Sequence, residues 1–164
     1  MIKVGHHLFL VALALFAMRC ASEQPNDCAS QLEAIAELEQ QLFGNEEMVH
    51  DDVRSQLMKC YGEFANECHD AAETPEMLFR RADLLRSAGR FQEAMTQLRD
   101  VHDHYPQFEK RAISAFLVGF IAEVELNDRE QAKKTYEQVI ELHPESDAAE
   151  WAKLSIESLN QSTN

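Results

Sequence analysis

The sequence predicts an all-α protein, about seven helices stacked in antiparallel pairs as an α-solenoid. Three observations carry this reading. Apolar residues recur at helical spacing from Cys28 almost to the C-terminus. The 164 residues contain only 5 Gly and 4 Pro, too few for an all-β chain that must turn about every 8–12 residues. A residue pattern also returns after 38 positions, from Ala94 to Ala132 and from Pro106 to Pro144. A helix–turn–helix unit of that period stacks into a solenoid, because one unit cannot bury its own apolar face.

The elements follow in order. Residues 1–20 read as an export signal. Lys3 supplies a positive start, and Leu8 to Met18 form an apolar run of eleven residues. That is short of the roughly 20 needed to span a bilayer and fits the core of a signal peptide. Cys20 ends the run as a lipid-acceptor cysteine would, although Arg19 departs from the usual box before it. Cleavage after Ser22 and an uncleaved segment are the alternatives. Residues 21–28 read as a tether. Residues 29–72 read as a helical hairpin with one stripe at Leu32, Ile35, Leu38 and Leu42, a break at Gly44-Asn45, and a second stripe at Val53, Leu57, Tyr61 and Phe64.

The first full unit spans 73–107. Thr74 is expected to cap its first helix and Pro75 to open it. Gly89 ends that helix, and Phe91 to Val101 carry the second, which stops before Pro106. The next unit spans 108–144, with a helix from Ala112 to Val124, a break at Asn127, and a capping box at Asp128-Arg129-Glu130-Gln131. Ser146 is expected to cap a last helix within 145–160.

Small residues mark where helices touch: Ala82 and Gly119 on one side, Ala94 and Ala132 on the other. Ala82, Ala94 and Pro106 are evenly spaced, whereas Gly119 to Ala132 is one residue longer. These positions resemble the tetratricopeptide-repeat (TPR) family over roughly residues 30–160. The stretches around Tyr61-Gly62-Glu63-Phe64, Leu78-Phe79-Arg80-Arg81-Ala82 and His143-Pro144-Glu145-Ser146 are similar to small bacterial envelope TPR proteins. Relatives of that kind are the Tol–Pal-associated repeat protein and the repeat lipoprotein of the outer-membrane β-barrel assembly machine. The resemblance implies a peptide- or protein-binding groove lined by the first helix of each unit. By position, its residues are Phe79, Asp83 and Arg86, then Ile113, Phe116, Phe120 and Glu123. Phe116 or Phe120 packing on Trp151 and Leu154 is the plainer alternative.

Charge and motifs bound the chemistry. The net charge is −14, with 29 acidic residues against 15 basic ones. No basic cluster is available to neutralise nucleic-acid phosphates. No phosphate-binding glycine loop, nucleophile elbow or C-x-x-C motif occurs, so no enzyme, cofactor, small-molecule substrate or metal site is expected. His102, His104 and His143 lack the i, i+4 spacing of a helical ligand pair. Cys60 and Cys68 would stand about 12 Å apart on one helix, too far for a bridge. Cys28 begins the antiparallel partner and could meet either, with Cys68 favoured at the frayed end and free thiols as the alternative.

The expectation is therefore a non-catalytic interaction module in the periplasm or at the outer membrane. The membrane would be reached through a lipid on Cys20. A homo-oligomeric scaffold or spacer is the alternative.

Overall fold

The computed structural model describes residues 28–44 and 51–161. Seven helices and no strand occur among them: α1 (Cys28–Phe43), α2 (Asp51–Glu67), α3 (Thr74–Ser87), α4 (Phe91–His104), α5 (Arg111–Phe120), α6 (Arg129–Leu142) and α7 (Asp147–Gln161). Each helix packs on the next, and α7 also packs on α5. This is the solenoid order, in which contacts are local and the core is a continuous strip between layers. Tyr61, Phe64, Leu57, Leu85, Met95, Ile121, Tyr136 and Val139 form its centre, all essentially excluded from water. The predicted stripes of α1 and α2 supply Ile35, Leu38, Leu57 and Phe64 to it. The signal segment, Cys20, most of the tether and Asn45 fall outside the described residues.

The small residues sit where the spacing places them. Ala82, Ala94 and Ala132 are buried, and a Cβ added at Gly119 would lie 2.7 Å from a ring carbon of Tyr136. Only glycine admits that ring.

Two turns close the first helices of the repeats differently. After α3, Gly89 takes φ +73°, and the Arg90 N–H donates to the Leu85 carbonyl at 2.9 Å. This is a Schellman closure, and glycine meets its left-handed requirement without a Cβ penalty. After α5 the chain instead widens into a π-helical turn, Ile121–Glu125, and the Leu126 N–H reaches back to the Ile121 carbonyl at 3.1 Å. The helix expected over 112–124 is therefore α-helical only to Phe120. The residue that lengthens the Gly119–Ala132 interval is absorbed by the π turn. Asn127 follows at φ 52°, a left-handed position that asparagine tolerates.

The caps divide. Asp128 accepts from the Gln131 N–H at 3.0 Å, and Ser146 Oγ from the Ala149 N–H at 3.2 Å, as N-caps do. Thr74 does not cap α3: the N-cap position is Glu73, and Thr74 lies inside the helix. Its hydroxyl donates instead to the Cys68 carbonyl at 2.6 Å. That bond ties α3 to the turn where Cys68 is bridged to Cys28 with a Cα separation of 6.0 Å. The favoured pairing is thus the one formed. Cys60 is buried and also disulfide-bonded.

Candidate functional site

A cavity of about 300 Å³ opens between α1, α3 and α5. Its floor is apolar: Phe79 and Ala82 from α3, Leu98 from α4, and Leu117 and Ile121 from α5 and its π turn. Phe43 at the end of α1 stands on the margin with 67% of its surface in solvent. Its ring thus extends the apolar floor out to the solvent edge.

Two sets of ion pairs frame the opening. In the first, Arg80 donates to Glu39 at 2.7 Å and to Glu76 at 2.8 Å, while Lys110 donates to Glu76 at 2.7 and 2.9 Å. The set joins three layers, α1, α3 and the start of α5. Burial pushes the Glu76 carboxyl up, but the bonds from Lys110 and Arg80 outweigh it and hold it below its ordinary range. Tyr61 donates its hydroxyl to Glu39, and burial, reinforced by that carboxylate, drives the phenol far up. It stays a donor at any physiological pH. Lys110 Nζ also lies 5.2 Å from the centre of the Phe79 ring, which meets Phe108 edge-on at 6.1 Å. Phe79 is thereby held in one orientation, half-buried, as part of the wall.

The second set is Asp83–Arg86–Glu125. Arg86 donates to Asp83 at 3.1 Å and, across the layer boundary, to Glu125 at 3.2 Å. The Asp83 side chain is 65% exposed. Pairs this open contribute little to stability and can exchange partners with a ligand.

The structure divides the residues predicted for the groove. Phe79, Asp83 and Arg86 line this cavity. Phe116, Phe120 and Glu123 do not. Phe116 stacks on Tyr136 at 5.3 Å, meets Trp151 edge-on at 5.7 Å and lies 6.4 Å from Phe120. Glu123 accepts the Tyr136 hydroxyl at 2.8 Å. Ile113 packs partly buried against the core. The alternative of packing on Trp151 thus holds for Phe116, and these side chains form a second cluster over α5, α6 and α7. Position along a helix explains the division: one residue is about 100° of rotation, so Leu117 and Ile121 face α3 while Phe116 and Phe120 face onward. Glu39, Phe43 and Arg80 were missed because their convergence depends on how α1 docks on α3, which no local spacing encodes.

Two segments of the chain, residues 76–107 and 114–146, match the tetratricopeptide repeat family. The first covers nearly all of α3 together with α4, and the second runs from within α5 through α6. The cavity therefore lies against the first helix of each repeat, with α1 adding a wall from outside the matched segments. No curated protein matches the chain. Tetratricopeptide repeats are protein-interaction modules, and the all-α solenoid seen here is their architecture. No helix among the described residues is long and apolar enough to cross a membrane.

Proposed function

We propose that this protein is a non-catalytic adaptor or assembly factor of the bacterial cell envelope, and that the cavity between α1, α3 and α5 captures a segment of a protein partner. The observation that carries the reading is the cavity itself. An apolar floor and the exposed Phe43 would supply buried area, and Asp83, Arg86 and Glu39 would fix the orientation of an extended or helical peptide. Export is supported by the leader-like start of the sequence and by the Cys28–Cys68 disulfide, which suits an oxidising compartment. Attachment to the membrane would run through an acyl group on Cys20.

The test is a photo-crosslinking residue at Asp83 in the living cell, followed by identification of the adduct. A discrete protein adduct is expected, lost on Arg86→Ala or Phe43→Ala while the fold remains. An adduct unchanged by both variants would remove the cavity from the reading.

A homo-oligomeric scaffold is the second reading, and one observation favours it. Trp151 and Leu154 on α7 are 41% and 62% exposed, next to the Phe116 cluster. A scaffold would self-associate without a partner, and sedimentation of the purified chain would reveal it.

A further inference from the structure

Two histidines that the sequence holds 41 positions apart come together in the fold. His102 lies in the last turn of α4, and His143 is the C-cap of α6. Their Nε2 atoms are 3.0 Å apart, their ring centroids 5.2 Å apart, and their planes cross at 89°. We propose that this pair is a binding site for one divalent transition-metal ion of the zinc, nickel and copper class, held by both Nε2 atoms with water completing its coordination.

The geometry supports this at each step. His102 Nδ1 lies 2.7 Å from a carboxylate oxygen of Asp103. An ionised carboxylate only accepts, so Nδ1 carries the proton and Nε2 presents a lone pair. A carboxylate behind a ligating imidazole is the usual outer-shell arrangement, fixing the ring's tautomer and orientation. Neutral imidazole is the form that binds metal.

Both backbones are anchored. Arg111 Nε donates to the His102 carbonyl at 2.8 Å, and Ser146 donates to the His143 carbonyl through its hydroxyl at 2.8 Å and its N–H at 3.0 Å.

Spacing is the quantitative argument. Two imidazoles on a tetrahedral ion at about 2.0–2.1 Å place their nitrogens roughly 3.3–3.4 Å apart and their ring centres about 5.2 Å apart. The ring centres already stand at 5.2 Å, and the nitrogens at 3.0 Å. Nitrogens 3.0 Å apart with ring centres at 5.2 Å face each other nearly head-on, so chelation swings each ring off that line by roughly 20–35°. The proton that His143 Nε2 donates to His102 Nε2 in this pair must also leave, to solvent or to His143 Nδ1, before both nitrogens can ligate. His102 and Asp103 border a groove of about 710 Å³ between α4, α5 and α6, which gives an ion an approach from the His102 side. Among the described residues no cluster of three or more His, Cys, Asp or Glu forms a metal-sized site. Two protein ligands therefore set the affinity, and the nearby Arg111 charge opposes it. Because the ligands come from successive repeats, a bound ion would pin one repeat to the next.

The experiment is calorimetric titration of the untagged full chain with Zn²⁺ and with Ni²⁺ at pH 7.5, alongside thermal melting. One equivalent should bind with micromolar affinity and raise the melting temperature. His102→Asn and His143→Gln should each weaken binding more than tenfold and abolish the thermal shift. Asp103→Asn should weaken it about tenfold. The double variant His69→Ala/His104→Ala, which removes solvent-exposed rings, should bind as wild type does. Circular dichroism before titration shows which variants are folded, and either single variant suffices. Equal binding by wild type and a folded His102 or His143 variant, or no binding by folded wild type, would overturn the site.

Discussion

Gly119 on α5 and Tyr136 on α6 meet so closely that a single methyl group at position 119 would stand 2.7 Å from the tyrosine ring. The ring cannot easily give way. It is fully buried, stacked on Phe116, and bonded through its hydroxyl to Glu123. Gly119→Ala should therefore destabilise the protein despite a helix-propensity gain of about 1 kcal/mol, since overpacking costs about 1–3 kcal/mol. Gly119→Val should cost more. Urea denaturation decides it, and a Gly119→Ala protein as stable as wild type would show that the contact relaxes freely.

Ala94 and Ala132 occupy the corresponding places on α4 and α6, both with 0% exposure. Ala94→Trp or Ala132→Trp should unfold the domain, because an indole has no space between layers already in contact. A melting temperature lowered by only about a degree, far less than overpacking predicts, would mean that the helices part there without loss.

The Cys28–Cys68 bridge closes a 40-residue separation across the hairpin that lies outside the matched repeats. In the chain-entropy picture a loop of that size is worth about 4 kcal/mol. Cys28→Ser/Cys68→Ser should lower the urea midpoint accordingly and expose α1 and α2 to protease before α4 and α6. Uniform cleavage along the chain would contradict a local role for the bridge.

Stability should fall in acid through Glu76. Its folded pKa is depressed below the ordinary 4.5, so its contribution is present above that value and is lost as pH drops through the folded pKa. Glu76→Gln should be less stable than wild type at neutral pH, with the gap closing under strong acid. Urea midpoints at pH 7 and at pH 3 or below give the comparison. A gap that persists in acid would assign the effect to shape rather than charge.

A lipid on Cys20 has a direct signature. Metabolic labelling with a fatty-acid analogue should mark the wild-type protein and leave Cys20→Ala unlabelled, and fractionation should move that variant from the membrane to the soluble fraction. No label in the wild type, with both proteins equally soluble, would leave cleavage after Ser22.

Much of the fold was legible because it repeats. Ala82, Ala94 and Pro106 on one side and Ala132 and Pro144 on the other mark helix contacts and turns by spacing alone, and the structure puts them there. The Cys28–Cys68 pairing was also within reach, since helix length excluded Cys60 with Cys68. Thr74 shows the opposite. Its sequence context suggests a cap, yet a hydrogen bond to the Cys68 carbonyl draws it into the core, and that carbonyl is brought near by two consecutive turns, Cys68 to Ala71 and Ala71 to Thr74, that no capping pattern announces. The site was legible only on α3. Leu117, Ile121, Phe43 and Glu39 reach the cavity because whole helices dock at particular rotations, and Phe116, one residue from Leu117, looks onto another surface entirely. His102 and His143 stayed apart on paper for the same reason.

The π turn at Ile121–Glu125 has a consequence for how such a chain can change. An extra residue wound into an ordinary helix rotates everything beyond it by about 100°. Here the added residue widens a single turn, and α6 still presents Tyr136 to Gly119 and Ala132 to the core. The turn works as an expansion joint. A gene encoding this fold could gain or lose one codon there and leave the neighbouring interfaces intact, so tandem units need not keep identical lengths to keep a common architecture.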